Sequence, residues 1–170
     1  MQTKAKPRKY TGKYGRITYR LNGKLHREDG PAIIEADGSQ IWYLNGTCHR
    51  EDGPAVISAD GTQMWCINGE WHREDGPAII HLSGTQSWWL NGKVHRVDDP
   101  AVIWSDGSQE WRLNGKCHRE DGPAVIFKNG TQFWYINGKI YDFDDYCKQL
   151  KLSEEVIVFL KLKFNTCIVA

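Results

Sequence analysis

Polar Ser39 and Gln40 lead into an apolar run rich in β-branched and aromatic residues in "SQIWYL" (residues 39–44), which predicts a half-buried strand. Asn45-Gly46 follow, then "TCHRED" and "GPAVI". Asn-Gly between two extended runs predicts a two-residue hairpin turn, because a type I′ turn needs positive φ at both central residues. Pro54 removes a ladder donor, so Glu51-Asp52-Gly53-Pro54 reads as a bulge or bend. "ADG" then turns the chain onward, the spelling of a type I turn with Gly in the left-handed position.

This succession repeats with a period of 23 residues, marked by His26, His49, His72, His95 and His118. Seven residues before each His stands an aromatic, Tyr19, Trp42, Trp65, Trp88 or Trp111, and Trp134 fills the next slot. An Arg follows each His, and Pro31, Pro54, Pro77, Pro100 and Pro123 close each bend. Gly15 and Trp134 mark part repeats flanking five full ones. A unit this small cannot bury a core alone, so the repeats must stack on one another. The expected fold is an all-β repeat: an elongated antiparallel β-meander or solenoid of 23-residue hairpins over 15–141.

Residues 142–170 leave the pattern and predict a short helical cap. Asp142 and Ser153 are N-cap candidates, and Phe143, Tyr146 and Leu150 share one helical face. Such a cap protects the open end of a sheet.

The two-residue turn sets Tyr43 opposite Cys48 and Trp42 opposite His49. The repeated Trp and His therefore share one face, expected to be the stacked core, with Trp65 at mid-array the costliest to lose. The other face carries what differs between repeats: Tyr43 with Cys48, Cys66 with Trp71, Trp89 with Val94, Arg112 with Cys117, Tyr135 with Ile140. Aromatics and Arg anchor interfaces, so Tyr43, Trp71, Trp89, Arg112 and Tyr135 are the candidate partner-binding residues. Trp104 joins them from the densest aromatic cluster, formed with Trp88 and Trp89.

His, Arg, Glu and Asp in a row suggest chemistry, yet an enzyme needs one site with assigned roles. Five equal copies single out none. The expectation is a structural ladder in which Arg meets Glu or Asp of the next repeat, His packs on Trp, and Asp caps its own turn. No catalytic residue, metal or cofactor is expected. "HRVDDP" departs from the rule, with Val97 for Glu and Asp99 for Gly. The bend should change there, and His95 is the one candidate for an enzymatic alternative.

Composition adds two points. Eight tryptophans in 170 residues must build a core or a binding face. The net charge of +1 hides a basic arm: residues 1–20 carry +7 and the rest −6. Taken as an arm over 1–14, it offers Lys4, Lys6, Arg8, Lys9 and Lys13, with Arg16 just beyond, for a nucleic-acid-binding alternative. Tyr10, Tyr14 and Tyr19 are interleaved for stacking. The simpler reading is a solvated, poorly ordered tail. Five cysteines form no CxxC pair and read as reduced thiols. No apolar run approaches a membrane span and no secretory signal pattern opens the chain, so a cytoplasmic location is expected.

The period of 23 and the "NGKxH" core resemble the MORN repeat over residues 15–141. The sequence departs from that pattern at Arg27, Arg50, Arg73, Arg96 and Arg119, where MORN repeats have Gly. A nearer likeness is to "WYLNGKxHREDGPA" repeat proteins of bacteriophages and large DNA viruses. The resemblance implies a scaffold or protein-binding surface rather than catalysis. It makes the expected partner a host protein, such as one of a defence system, that is inhibited or redirected in the host cytoplasm. The sheet's edges also leave room for a homodimer.

Overall fold

The computed structural model describes residues 5–165, so Lys4 and Cys167 lie outside the described residues. The chain forms two compact units, residues 1–93 and 94–170, each an antiparallel β-meander. In the first unit the strands Arg8–Thr11, Ile17–Leu21, Ile33–Ile34, Gln40–Ile41, Val56–Ile57, Gln63–Met64, Ile79–Ile80 and Gln86–Ser87 pair in that order. In the second unit the order is Val102–Ile103, Gln109–Glu110, Val125–Ile126, Gln132–Ile136 and Lys139–Tyr141. Small hairpins stand beside these sheets, such as Tyr43–Leu44 with Thr47–Cys48, and Arg112–Leu113 with Lys116–Cys117.

The expected strand over 39–44 is therefore two strands with different partners. Gln40–Ile41 pairs sideways into the sheet, whereas Tyr43–Leu44 pairs with its own hairpin return. Trp42 is the pivot. Its N–H donates to the Ala55 carbonyl at 2.8 Å, and its carbonyl accepts from His49 N–H at 3.2 Å. The Gly53-Pro54 bend returns Ala55 to Trp42 just where the hairpin return ends, so the chain exchanges one partner for another without leaving a backbone group unsatisfied.

The hairpin register is the expected one: Tyr43 faces Cys48, Cys66 faces Trp71, Arg112 faces Cys117 and Tyr135 faces Ile140. Asn45 (φ 53°) and Gly46 (φ 90°) hold the left-handed backbone that a type I′ turn requires. In the second turn of the repeat an Asx bond does the work: Ser39 N–H donates to Asp37 Oδ1 at 2.9 Å, and Ser108 N–H to Asp106 Oδ1 at 2.8 Å.

The most deeply buried repeat position is not the Trp but the Ala after each Pro. Ala32, Ala55 and Ala78 in the first unit, and Ala101 and Ala124 in the second, are all 0% exposed. Burial of the Trp positions differs from expectation. Trp111 and Trp134 are buried, while Trp42 and Trp65 are only half-buried. Trp134 owes its burial to the helices that follow it, α1 (Phe143–Leu150) and α2 (Glu154–Phe164). Its ring lies 5.1 Å from Phe143, 4.7 Å from Tyr146 and 5.7 Å from Phe164, centroid to centroid. Trp65 instead lies beneath an arginine, as described below.

The helical segment forms as expected. Asp142 caps α1 by accepting from Asp145 N–H at 2.8 Å. Ser153 precedes α2 with an extended backbone and no side-chain bond to the helix backbone, its carbonyl accepting from Ile157 N–H. Tyr146 is fully buried, and its hydroxyl donates to the Arg119 carbonyl at 3.0 Å and accepts from Gly122 N–H at 3.3 Å. Burial pushes its pKa up. Among the described residues no helix is long and apolar enough to cross a membrane.

The basic arm is not a free tail. Arg8–Thr11 adds an edge strand in the register Arg8 to Arg20, Lys9 to Tyr19, Tyr10 to Thr18 and Thr11 to Ile17. The strand Ile17–Leu21 would otherwise present unpaired backbone there. A strand reading Arg-Lys-Tyr-Thr, with all four side chains exposed, is a charged edge of the kind that resists further pairing.

Because the alanine slot has no spare volume, Ala55→Leu should destabilise the chain by about 1–3 kcal/mol through overpacking. Urea unfolding checks this, with the same change at half-buried Ile57 (Ile57→Leu) as the tolerated control.

Candidate functional site

Each bend "HREDGPA" is built around its arginine. The Arg50 guanidinium lies 4.1 Å from the Trp42 ring centroid, and the same stack joins Arg27 to Tyr19 at 4.1 Å, Arg73 to Trp65 at 4.1 Å and Arg119 to Trp111 at 3.9 Å. Arg50 Nε donates to Asp52 Oδ1 at 2.9 Å, and Nη1 donates to the Pro54 carbonyl at 3.1 Å. One planar group thus ties the aromatic, the acid and the bend of its own repeat. Gly53 is favoured by closeness rather than by φ: a Cβ there would sit 3.1 Å from the Arg50 Cζ, so the guanidinium would have to give way. The ion pair consequently falls within a repeat, and the group over the Trp ring is Arg. The first point corrects the expectation of inter-repeat Arg–acid pairs; the second adds an Arg stack that was not expected, while His49 keeps its place opposite Trp42, its N–H on the Trp42 carbonyl. A two-residue spacing around a tight bend brings Asp52 to Arg50 more closely than a strand-pair spacing could.

The histidines do the inter-repeat work. Asn45 N–H donates to His26 Nδ1 at 3.1 Å, Asn68 N–H to His49 Nδ1 at 3.2 Å, and Asn91 N–H to His72 Nδ1 at 3.3 Å. In the second unit Asn114 and Asn137 donate to His95 and His118 at 3.2 and 3.1 Å. An accepting Nδ1 places the ring proton on Nε2, which faces Glu51 at 3.5 Å in His49 and Glu28 at 3.7 Å in His26. Asn68 Oδ1 also lies 3.0 Å from His49 Nδ1, a contact that is a hydrogen bond only in the other tautomer, with Nδ1 protonated. Each imidazole is thereby fixed by the next hairpin turn.

The departing repeat solves the same problem differently. With Asp99 in the glycine slot, Arg96 Nη2 donates to Asp99 Oδ2 at 2.8 Å, while Nη1 keeps its bond to the Pro100 carbonyl at 3.2 Å. Asp98 takes φ 66°, so the bend does change, as expected. His95 has the same bond to Asn114 as its counterparts. Its neighbour Val97 is an exposed apolar side chain that supplies no carboxylate to Nε2.

Between successive bends of the first unit lie open polar clefts, of about 670 Å³ between the Arg27 and Arg50 bends and about 560 Å³ between those of Arg50 and Arg73. Their linings repeat as faithfully as the sequence, so neither of these two is chemically distinguished from the other. Among the described residues no three His, Cys, Asp or Glu side chains converge on one point.

The candidate partner-binding residues fall on the hairpins except Trp104, which opens the other turn, and some of them lie on adjoining chains within a unit. In the first, Gly92 N–H donates to the Trp71 carbonyl and Arg73 N–H to the Trp89 carbonyl, both at 3.1 Å, which sets Trp71 and Trp89 on adjoining chains. Trp89 Nε1 donates to Ser87 Oγ at 2.8 Å. Tyr43 is half-buried, and burial raises its pKa. In the second unit Glu110 joins two candidates: Oε1 accepts from Trp104 Nε1 at 3.3 Å and Oε2 from Arg112 Nε at 2.8 Å. Gly138 N–H donates to the Cys117 carbonyl and Arg119 N–H to the Tyr135 carbonyl, so Tyr135 lies beside the Arg112–Cys117 pair.

Sequence reasoning named Trp104 but missed its counterpart one period later. Trp104 opens a turn and is 44% exposed, and Phe127 is 43% exposed and packs edge-on against Phe133 at 5.9 Å. The residue two before each Asp-Gly, Ser-Gly or Asn-Gly of that turn varies as freely as the hairpin positions (Glu35, Ser58, His81, Trp104, Phe127), which is the signal that marks it.

Of the nucleic-acid candidates, Arg8 and Lys9 are on the exposed edge strand, Lys6 and Lys13 flank it, and Arg16 pairs with Glu35 at 3.2 Å. Compared with known proteins, the chain matches no family model and no curated protein.

The Arg–Asp pairs make a pH prediction. Hydrogen bonds from Arg27, Arg50 and Arg73, and then their charge, hold the carboxyls of Asp29, Asp52 and Asp75 below the ordinary range. A depressed folded pKa means the unfolded chain binds more protons, so this stabilisation is full above about pH 4 and is lost as pH falls through the folded value. Urea midpoints should therefore drop from pH 6 to pH 3, and the drop should be smaller in the triple variant Asp29→Asn, Asp52→Asn, Asp75→Asn. Parallel loss in both proteins would contradict the assignment.

Proposed function

We propose that this chain is a non-enzymatic protein-binding module that presents its varying hairpin face to a partner. The observation that carries this reading is a division of labour. The repeated His, Arg, aromatic, Asp and Gly are engaged in holding the repeats together. Large, partly exposed side chains gather where the repeats differ: Tyr43, Trp71 and Trp89 in the first unit, Trp104, Arg112 and Tyr135 in the second. Rigid aromatics and Arg lose little entropy on binding and dominate interface energetics. His95, bonded as its counterparts are, supports a structural over a catalytic role for the "HRED" motif.

The likeness to phage and large-virus repeat proteins supports a host protein as partner, inhibited or redirected in the host cytoplasm. Capture from host lysate on the immobilised chain should yield a partner that the double variant Trp71→Ala, Trp89→Ala loses, with urea midpoints confirming that the variant is folded. A partner retained equally by both would move the binding surface elsewhere.

A second reading has its own support in the exposed strand Arg8–Thr11, flanked by Lys6, Lys13 and an 81%-exposed Tyr14. Single- or double-stranded nucleic acid bound there would dissociate steeply with salt. A gel shift at low ionic strength separates the readings, since the aromatic variant should leave this binding intact and Arg8→Ala with Lys9→Ala should weaken it.

A further inference from the structure

One pair of chemically active side chains in the first unit takes no part in the framework described above. Adjacent hairpins meet along their edges at two slots of the repeat, which hold Leu25 with Tyr43, Trp71 with Trp89 and Cys117 with Tyr135. At the remaining first-unit junction both slots are cysteine, Cys48 and Cys66. Backbone bonds clamp the two strands at that point: Gly69 N–H donates to the Cys48 carbonyl at 2.8 Å, and Arg50 N–H to the Cys66 carbonyl at 3.0 Å. Cys66 Sγ lies 3.4 Å from the Cys48 carbonyl oxygen, to which it donates. Cys66 is buried and Cys48 half-buried, so solvent reaches one sulfur of the pair more readily than the other.

We propose that Cys48 and Cys66 are a reversible disulfide pair that staples two neighbouring hairpins of the first unit. The reaction needs a two-electron oxidant, and hydrogen peroxide serves. The Cys66 sulfur, as the thiolate, takes one peroxide oxygen to become a sulfenic acid, with one water released once the thiol proton is counted. The Cys48 sulfur then attacks the Cys66 sulfur, forming the S–S bond as the S–O bond breaks. The departing hydroxide takes up the remaining proton as a second water. Two thiols lose two electrons and two protons, peroxide gains them, and a dithiol reductant reverses the change. The thiols already interact: a hydrogen bond between them pushes the Cys48 pKa up and draws that of Cys66 down, which favours Cys66 as the sulfur that reacts with peroxide. The other described cysteines lack this arrangement, since Cys117 faces Arg112 and Cys147 is buried in the helical cap.

The pair lies between two proposed contact residues, because Cys48 is the cross-strand partner of Tyr43, and Cys66 of Trp71. Oxidation would stiffen that patch, yet the staple does not depend on the patch binding anything.

The test uses the full chain, reduced, exposed to hydrogen peroxide and then capped with N-ethylmaleimide. Trypsin cuts at Arg27, Arg50 and Arg73, which places Cys48 and Cys66 on separate peptides. Non-reducing mass spectrometry should find those two peptides joined, lighter by two hydrogens than their sum, in monomeric protein. The urea midpoint should rise on oxidation, return with dithiothreitol, and stay unmoved in Cys48→Ser, while Cys117→Ser behaves as the parent does. Finding both cysteines capped, Cys66 stopped at sulfinic acid, or the cross-link only between two chains would overturn the proposal. Because the peptide map is read on the unsubstituted chain, no failure of a variant to fold affects it.

Discussion

The guanidinium stacked on an aromatic ring is the contact around which each repeat closes. A 23-residue unit has little apolar surface to bury, and its deepest residue is an alanine. Such a unit needs a directional group to hold its bend, and arginine supplies three bonds from one plane: a face for Trp42, Nε for Asp52 and Nη1 for the Pro54 carbonyl. The stack does not by itself set the burial of the ring, since Trp42 and Trp65 are half-buried whereas Trp111, stacked in the same way, is buried. The glycine does follow, as the residue that lets the backbone pass the guanidinium at 3.1 Å or less from where a Cβ would stand. Much of "HREDGP" is thus one arrangement rather than a run of separate functional groups.

Histidine carries the second level of organisation. The arginine acts within a repeat, whereas Nδ1 of each His accepts from the following Asn-Gly turn. A residue type that can titrate near neutrality is held here by a backbone donor and serves as a spacer between units. The departing repeat shows how much freedom this leaves. The Asp99 carboxylate takes the guanidinium from the side where glycine normally passes, Asp98 adopts a left-handed backbone, and the His95 contact to Asn114 persists. Variation is absorbed inside a bend while the step to the next unit is kept.

Much of this was legible in the sequence because turn chemistry is local. Asn45-Gly46 specifies its turn, the turn specifies the Tyr43–Cys48 register, and the register specifies which residues share a face. The helical cap was legible for the same reason, from Asp142 and the spacing of Phe143, Tyr146 and Leu150. What was not legible depends on the third dimension of a tight bend. Period-2 reasoning brings His49 to Trp42, but does not show that the bend after His49 swings Arg50 over that ring. The strand over 39–44 was read as one because the apolar run continues through Trp42, although the backbone changes partner there. The edge strand Arg8–Thr11 was hidden because its side chains are all exposed, so no hydrophobic period marks it. Among the candidate contact residues, the proximity of Trp71 to Trp89 follows from repeat stacking, whereas the link from Trp104 through Glu110 to Arg112 needed coordinates.

The account rests on the claim that the arginine–aromatic stack, more than the arginine–aspartate pair, holds each bend. Asp52 is solvent-exposed, and exposed ion pairs contribute little. A stack that is partly withdrawn from water contributes on the order of 1–2 kcal/mol. Two double-mutant cycles that share Arg50→Met, one with Trp42→Leu and one with Asp52→Ala, measure the two couplings by urea unfolding. The account predicts a clear coupling between Arg50 and Trp42 that exceeds the coupling between Arg50 and Asp52. A coupling near zero for Arg50 and Trp42, with the larger value on Asp52, would contradict it.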